Sequence, residues 1–153
     1  MPGNPITVHA AGGSLKTFRR STAALAERAA IVFIHGFGGD WAETWKGFPQ
    51  YLVDERSLSD WDVHSLGYDS HLRVDVLKLW SADPDLQKVA DKLVTDATAG
   101  ELRGYGSLAL VAHSMGGLVV QRALLDSREL LDRVSHVFLF GTPSGGLIKA
   151  SLV

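Results

Sequence analysis

Three stretches of the chain are almost continuously apolar and rich in β-branched residues. They are AAIVFI at Ala29–Ile34, SLALVAH at Ser107–His113 and VSHVFLF at Val134–Phe140. Runs of this length that carry little polar alternation predict strands buried on both faces, as in a parallel sheet. A fourth stretch, WDVHSL at Trp61–Leu66, places apolar residues at every other position and ends in GYDS, which predicts another strand. Helical spacing lies between them. Leu86, Val89, Ala90, Leu93, Val94 and Ala97 recur at i, i+3, i+4, i+7, i+8 and i+11, one apolar stripe. Asp83-Pro84 opens that segment and Gly100 closes it. Met115–Asp126 predicts a second helix. A third is expected over 41–53, where Asp40 stands as N-cap and Glu43 as its capping-box partner.

Elsewhere the pattern is weaker. Residues 6–9 and 15–18 flank AAGGS and predict a hairpin, and the Ala-rich segment 22–28 predicts a short helix. Residues 72–80 read as a short helix or a covering loop, and the wider segment 70–82 as either a lid or an ordinary cover. The alternation of strand and helix predicts an α/β fold, a mostly parallel sheet with helices on both faces and right-handed crossovers. No repeat, low-complexity tract or linker divides the 153 residues, so a single domain spanning 1–153 is expected.

Composition narrows the function classes. Hydrophobic residues make up 46% and charged residues 21%, as in globular proteins. Fifteen Lys and Arg against seventeen Asp and Glu leave a formal net charge of −2, which argues against a nucleic-acid or anionic-membrane surface. Cysteine is absent, so there is no thiolate chemistry and no disulfide framework. The N-terminus MPGNPITVHAAGG lacks a basic n-region and a long apolar core, and no apolar run reaches the length of a bilayer span. A cytoplasmic location is the expectation.

The chemistry gathers where predicted strands end. In a parallel α/β sheet ligands bind at the carboxyl ends of the strands, and three glycine-rich loops fall there: HGFGGD, AHSMGG and GTPSGG. Ser114 occupies the turn between a predicted strand and a predicted helix. Small neighbours, Ala112 and Gly116, allow that turn to be tight, so the hydroxyl projects clear of the backbone. The helix beginning beneath it offers N–H groups and a dipole to developing negative charge. The Met115 N–H supplies one oxyanion donor and the Phe37 N–H of the HGFG loop a second. His35, with Gly36 and Gly38, supports that loop.

On these motifs the chain resembles the α/β-hydrolase superfamily: IVFIHGFGGD as oxyanion loop, VAHSMGG as nucleophile elbow, VFLFGTPSGG as the following strand and loop. The elbow departs from G-x-S-x-G in having Ala112 first. HGFGGDWAETW, LVAHSMGGLVVQ and FGTPSGG are together similar to a lipase-like group that includes SERAC1-type and PGAP1-type hydrolases, in which a histidine often stands at the position of Ser144. The resemblance covers residues 29–147. It implies hydrolysis of a small-molecule or lipid acyl ester, with no metal or organic cofactor. Two alternatives stay open: a non-catalytic or signalling module on the same fold, and a thioesterase or amidase.

The expected machine is incomplete. A serine hydroxyl needs a base and the base an orienter, and the resemblance implies the order Ser, acid, His. After Ser114 the chain offers Asp126, Glu129, Asp132 and His136, all placed toward the other end of the sheet. His113 adjoins the serine on a strand, where neighbours face opposite ways. His71 with Asp69 is the one upstream pair near the active edge, and His9 and His64 read as ordinary core or surface residues. The expectation is a fold incomplete on its C-terminal side and inactive alone, the acid and histidine lying beyond Val153. It would associate through an exposed sheet edge or with further domains. The tryptophans, Trp41, Trp45, Trp61 and Trp80, read as packing residues.

Overall fold

A computed structural model describes residues 7–9, 15–19, 29–36, 44–68 and 84–145. Its centre is a six-stranded sheet in the order β1-β2-β4-β3-β5-β6. The strands are β1 (Thr7–His9), β2 (Leu15–Arg19), β3 (Ala29–Ile34), β4 (Trp61–Leu66), β5 (Ser107–His113) and β6 (Val134–Phe140). β4, β3, β5 and β6 run parallel, and the hairpin β1–β2 adds two antiparallel strands on the β4 side. The helices are α1 (Phe48–Asp54), α2 (Pro84–Thr98), α3 (Met115–Asp126) and α4 (Arg128–Arg133). Among the described residues no helix is long and apolar enough to cross a membrane.

Alternation along the strands divides the core in two. Ala30, Val32, Ile34, Leu108, Leu110 and Ala112 face α2 and α3, and meet the predicted stripe through Val89, Ala90, Leu93 and Ala97. Ile31, Phe33, Val63, Ala109 and Val111 face the other way, toward Trp45 and Val53 of the α1 region. Each large aliphatic side chain removed from water in this way contributes about 1.5–3 kcal/mol. Helices on both faces of a mostly parallel sheet are what the strand–helix alternation predicts.

Three features depart from the sequence reading. The helix expected over 41–53 is not continuous. Thr44 and Trp45 are helical, Lys46 takes a φ of 47°, and α1 starts afresh at Phe48. Pro49 explains the break: inside a longer helix its ring would collide with the carbonyl four residues back, that of Trp45, whereas in the first turn of a new helix it is tolerated. The second departure is α4, whose Ser127 side chain accepts the Leu130 N–H as an N-cap. Third, β4 is buried on both faces although it carries Asp62 and His64. The helix expected over 22–28, the Asp40 cap, Trp41, Trp80, the His71–Asp69 pair and the segment 70–82 lie outside the described residues.

Those buried polar groups form a one-way relay. Tyr105 donates its hydroxyl proton to Asp62 Oδ2 at 2.7 Å. Its oxygen therefore accepts from His64 Nε2 at 2.9 Å, and His64 Nδ1 lies 3.0 Å from Thr17 Oγ1, within hydrogen-bond distance. The relay ties β2, β4 and the turn before β5 together. Tyr105→Phe removes the link between His64 and Asp62 while leaving both buried. It is expected to lower the unfolding free energy by about 2 kcal/mol, seen as a lower urea midpoint at unchanged m-value.

β6 forms one edge of the sheet, and Val137, Phe138, Leu139 and Phe140 are each 40–49% exposed. On the α1 side an apolar groove of about 420 Å³ runs between Phe48 and Leu52 of α1 and Phe138 and Phe140 of β6. Ser114 does not line it.

Candidate active site

β5 ends at His113, and α3 begins at Met115. The whole reversal is made at Ser114, whose backbone sits at φ 53°, ψ −125°. This is sterically disfavoured for any residue with a Cβ and persists only where its surroundings hold it. The restraints are visible. The Ser114 N–H donates to the Phe140 carbonyl at 2.8 Å, tying the turn to the end of β6. The Ser114 carbonyl accepts the Gly117 N–H at 3.0 Å and starts the helix. The Met115 N–H belongs to the first helical residue, where no carbonyl of the helix itself can accept it.

Glycine is required where α3 meets the end of β3. A Cβ on Gly116 would lie 2.5 Å from the Ile34 carbonyl oxygen and 2.6 Å from that of His35. A Cβ on Gly36 would lie 3.1 Å from Ser114 Cβ and 3.5 Å from its Oγ. The start of the HGFG loop thus lies directly against the serine. The third loop closes over the same point. Thr142 packs on Gly117, and Gln121 Nε2 donates to Ser144 Oγ at 2.7 Å, holding GTPS on α3. The described parts of the three loops meet at one end of the sheet.

His35 is buried, with Nδ1 2.8 Å from the Gly36 carbonyl oxygen. Tyr68, two residues past β4, stacks on its ring at 4.1 Å and 16° and donates its hydroxyl to the His35 carbonyl. Burial pushes the Tyr68 phenol well above its ordinary pKa, so it remains a neutral donor. Neither contact was legible in the sequence, where Tyr68 belonged only to the turn ending a strand. Phe37 and Gly38, read as oxyanion donor and loop support, lie outside the described residues.

Among the described residues none is placed as a base for Ser114. His113 points to the opposite face, its ring 6.2 Å from that of Trp45. His64 is engaged in the buried relay. His136 stands at the far end of the sheet, paired in register with Ala109, against Trp61 and Ser135. Asp126 lies at the other end of α3, bonded to Arg122 and Gln87, and Asp132 is paired with Arg128. Among the described residues no group of three His, Asp or Glu side chains is arranged to hold a metal ion.

The comparisons with known proteins agree with this geometry. The model of a family described as the alpha/beta hydrolase family matches residues 31–152. Among solved structures, an alpha/beta hydrolase from the metagenome of sediments of the Mar Chica lagoon, Morocco, superposes with a TM-score of 0.56 at 16% identity, over 91% of this chain and 52% of that one. The 2-hydroxy-6-oxo-6-phenylhexa-2,4-dienoate hydrolase of Rhodococcus sp. strain RHA1 gives 0.58 at 16%, over 89% and 44%. A carboxylesterase structure from the ammonia-oxidizing thaumarchaeon Nitrososphaera gargenis gives 0.54 at 17%, over 90% and 45%. At such identities the likeness is one of fold, and the chain spans about half the length of these structures. No curated protein sequence matches the chain.

Proposed function

The chain belongs to the alpha/beta hydrolase family, and on that premise we propose that it carries the nucleophilic half of a serine hydrolase acting on acyl esters. The backbone of Ser114 carries this reading. A serine is held at φ 53° on a strand-to-helix turn, with a glycine loop against its hydroxyl. Such strain is often maintained where it positions a reacting group.

In this reading Ser114 Oγ attacks the acyl carbon. The N–H groups of Met115 and Phe37 bind the oxygen of the tetrahedral intermediate, each donor contributing roughly 3 kcal/mol to the transition state. His35, Gly36 and Gly38 hold the loop that carries Phe37. Because His35, His64, His113 and His136 are placed elsewhere, the general base and its orienting acid come from outside the described residues. The substrate is a small-molecule or lipid acyl ester; the same elbow serves thioesters and amides, and the acyl pocket decides among them. The exposed edge of β6 is where further chain or another subunit would pair.

Covalent capture tests the reading. A fluorophosphonate is expected to label Ser114 of the folded full-length protein, in which the base is supplied, and to leave Ser114→Ala unlabelled; folded, soluble full-length protein that takes up no label contradicts it.

A further inference from the structure

We infer that Tyr68 is a positioning residue for the oxyanion loop, clamping the His35–Gly36 peptide against the nucleophile turn. The inference rests on the serine-hydrolase reading and adds a residue to it. The β3–β5 pairing ends at Ile34 and the β3–β4 pairing at Phe33, so the His35 carbonyl lies past the ladder on both sides. A buried carbonyl there needs a donor from elsewhere. Tyr68 provides it by reaching back from the end of β4. The same oxygen faces Gly116 on its other side, so close that a Cβ there would lie 2.6 Å away. The carbonyl is thus fixed between the Tyr68 hydroxyl and the first turn of α3.

A second restraint acts on the His35 side chain. The Tyr68 ring covers the imidazole, and imidazole Nδ1 bonds the carbonyl of Gly36, the residue packed on Ser114. Backbone and side chain of His35 are therefore both set by one tyrosine, and the next residue along is Phe37. Displacing an oxyanion donor by a fraction of an ångström weakens transition-state binding and leaves ground-state binding nearly untouched.

Tyr68→Phe keeps the stacked ring and removes the hydroxyl; Tyr68→Leu removes both. With a fluorophosphonate as probe, the maximal rate of Ser114 modification is expected to fall about 10-fold in Tyr68→Phe and about 100-fold in Tyr68→Leu, the concentration for half-maximal rate staying within about twofold of the parent's. In Tyr68→Phe, amide exchange at Gly36 is expected to quicken while exchange in the middle of α2 is unchanged. A merely structural tyrosine would lower thermal stability and leave the rate of modification of the folded protein alone. Labelling of Tyr68→Phe at the parental rate, or a loss confined to the half-maximal concentration, overturns the inference and spares the serine-hydrolase reading. A parent protein that takes no label overturns both.

Discussion

Ser114→Gly is expected to abolish hydrolysis and to make the protein more stable. Removing the nucleophile of a serine hydrolase costs on the order of 10⁶ in kcat. The stability change has a separate origin. At φ 53°, ψ −125° a residue with a Cβ stores about 1–3 kcal/mol of backbone strain. Glycine does not, although it gives back about 0.5–1 kcal/mol through the entropy of the unfolded chain. The balance is a gain of about 1 kcal/mol, or roughly 2–4 °C in Tm for a chain of this size. Ser114→Ala is the control that separates hydroxyl from strain. It loses the same activity, keeps the Cβ, and is expected to melt within about a degree of the parent. Differential scanning calorimetry of the two variants reads the stability difference, and an ester-hydrolysis assay reads the loss of activity. If Ser114→Gly is no more stable than Ser114→Ala, the turn is not strained and the main support for the functional assignment is gone.

Gly116→Ala is expected to damage both the stability and the site. Its neighbours at 2.5 and 2.6 Å are backbone carbonyls of Ile34 and His35, at the end of a strand paired on both sides. Neither can rotate away, so helix or strand must shift, for about 3 kcal/mol or more. The shift displaces the loop bearing the oxyanion donors, and a further loss of about 100-fold in kcat is expected from the protein that still folds. Gly117→Ala should also be disruptive, because its Cβ would meet Thr142 Oγ1, Cγ2 and Cβ, the last at 2.7 Å, and a short β-branched side chain cannot swing clear of it. Gly145→Ala meets nothing within 4 Å and should change stability by less than about 0.5 kcal/mol. Urea denaturation of the three variants gives the order. Equal effects at Gly116 and Gly145 would remove the packing argument for the elbow.

The sequence spoke clearly where one local pattern decides the outcome. β3, β5, β6, α2 and α3 each follow from hydrophobic spacing within a single segment, and Ser114 was recognisable because strand, turn and helix are contiguous around it. What remained hidden depends on residues far apart in the chain. His64 and Tyr105 meet across 41 positions and Tyr68 and His35 across 33; no periodicity within WDVHSL or GYDS records such pairings. The break before α1 was in principle visible, since Gly47 and Pro49 are a helix-start pattern, but the stronger capping signal at Asp40 and Glu43 masked it. α4 is six residues long and too short for an apolar stripe to declare itself. The placement of the histidines is the converse case. That His113 and His136 cannot serve Ser114 followed from strand alternation and position alone, and the structure places both away from it.

The central claim is the proposal that Ser114 is the nucleophile, held on a strained strand-to-helix turn for a base supplied from outside the described residues. Tandem mass spectrometry of fluorophosphonate-treated protein tests it most directly, because trypsin releases residues 104–122 as one peptide carrying both Ser107 and Ser114. The account predicts a single adduct, on Ser114, that vanishes when the protein is unfolded before treatment. An adduct on Ser107 or on a serine of another peptide, or none on the folded full-length protein, contradicts it.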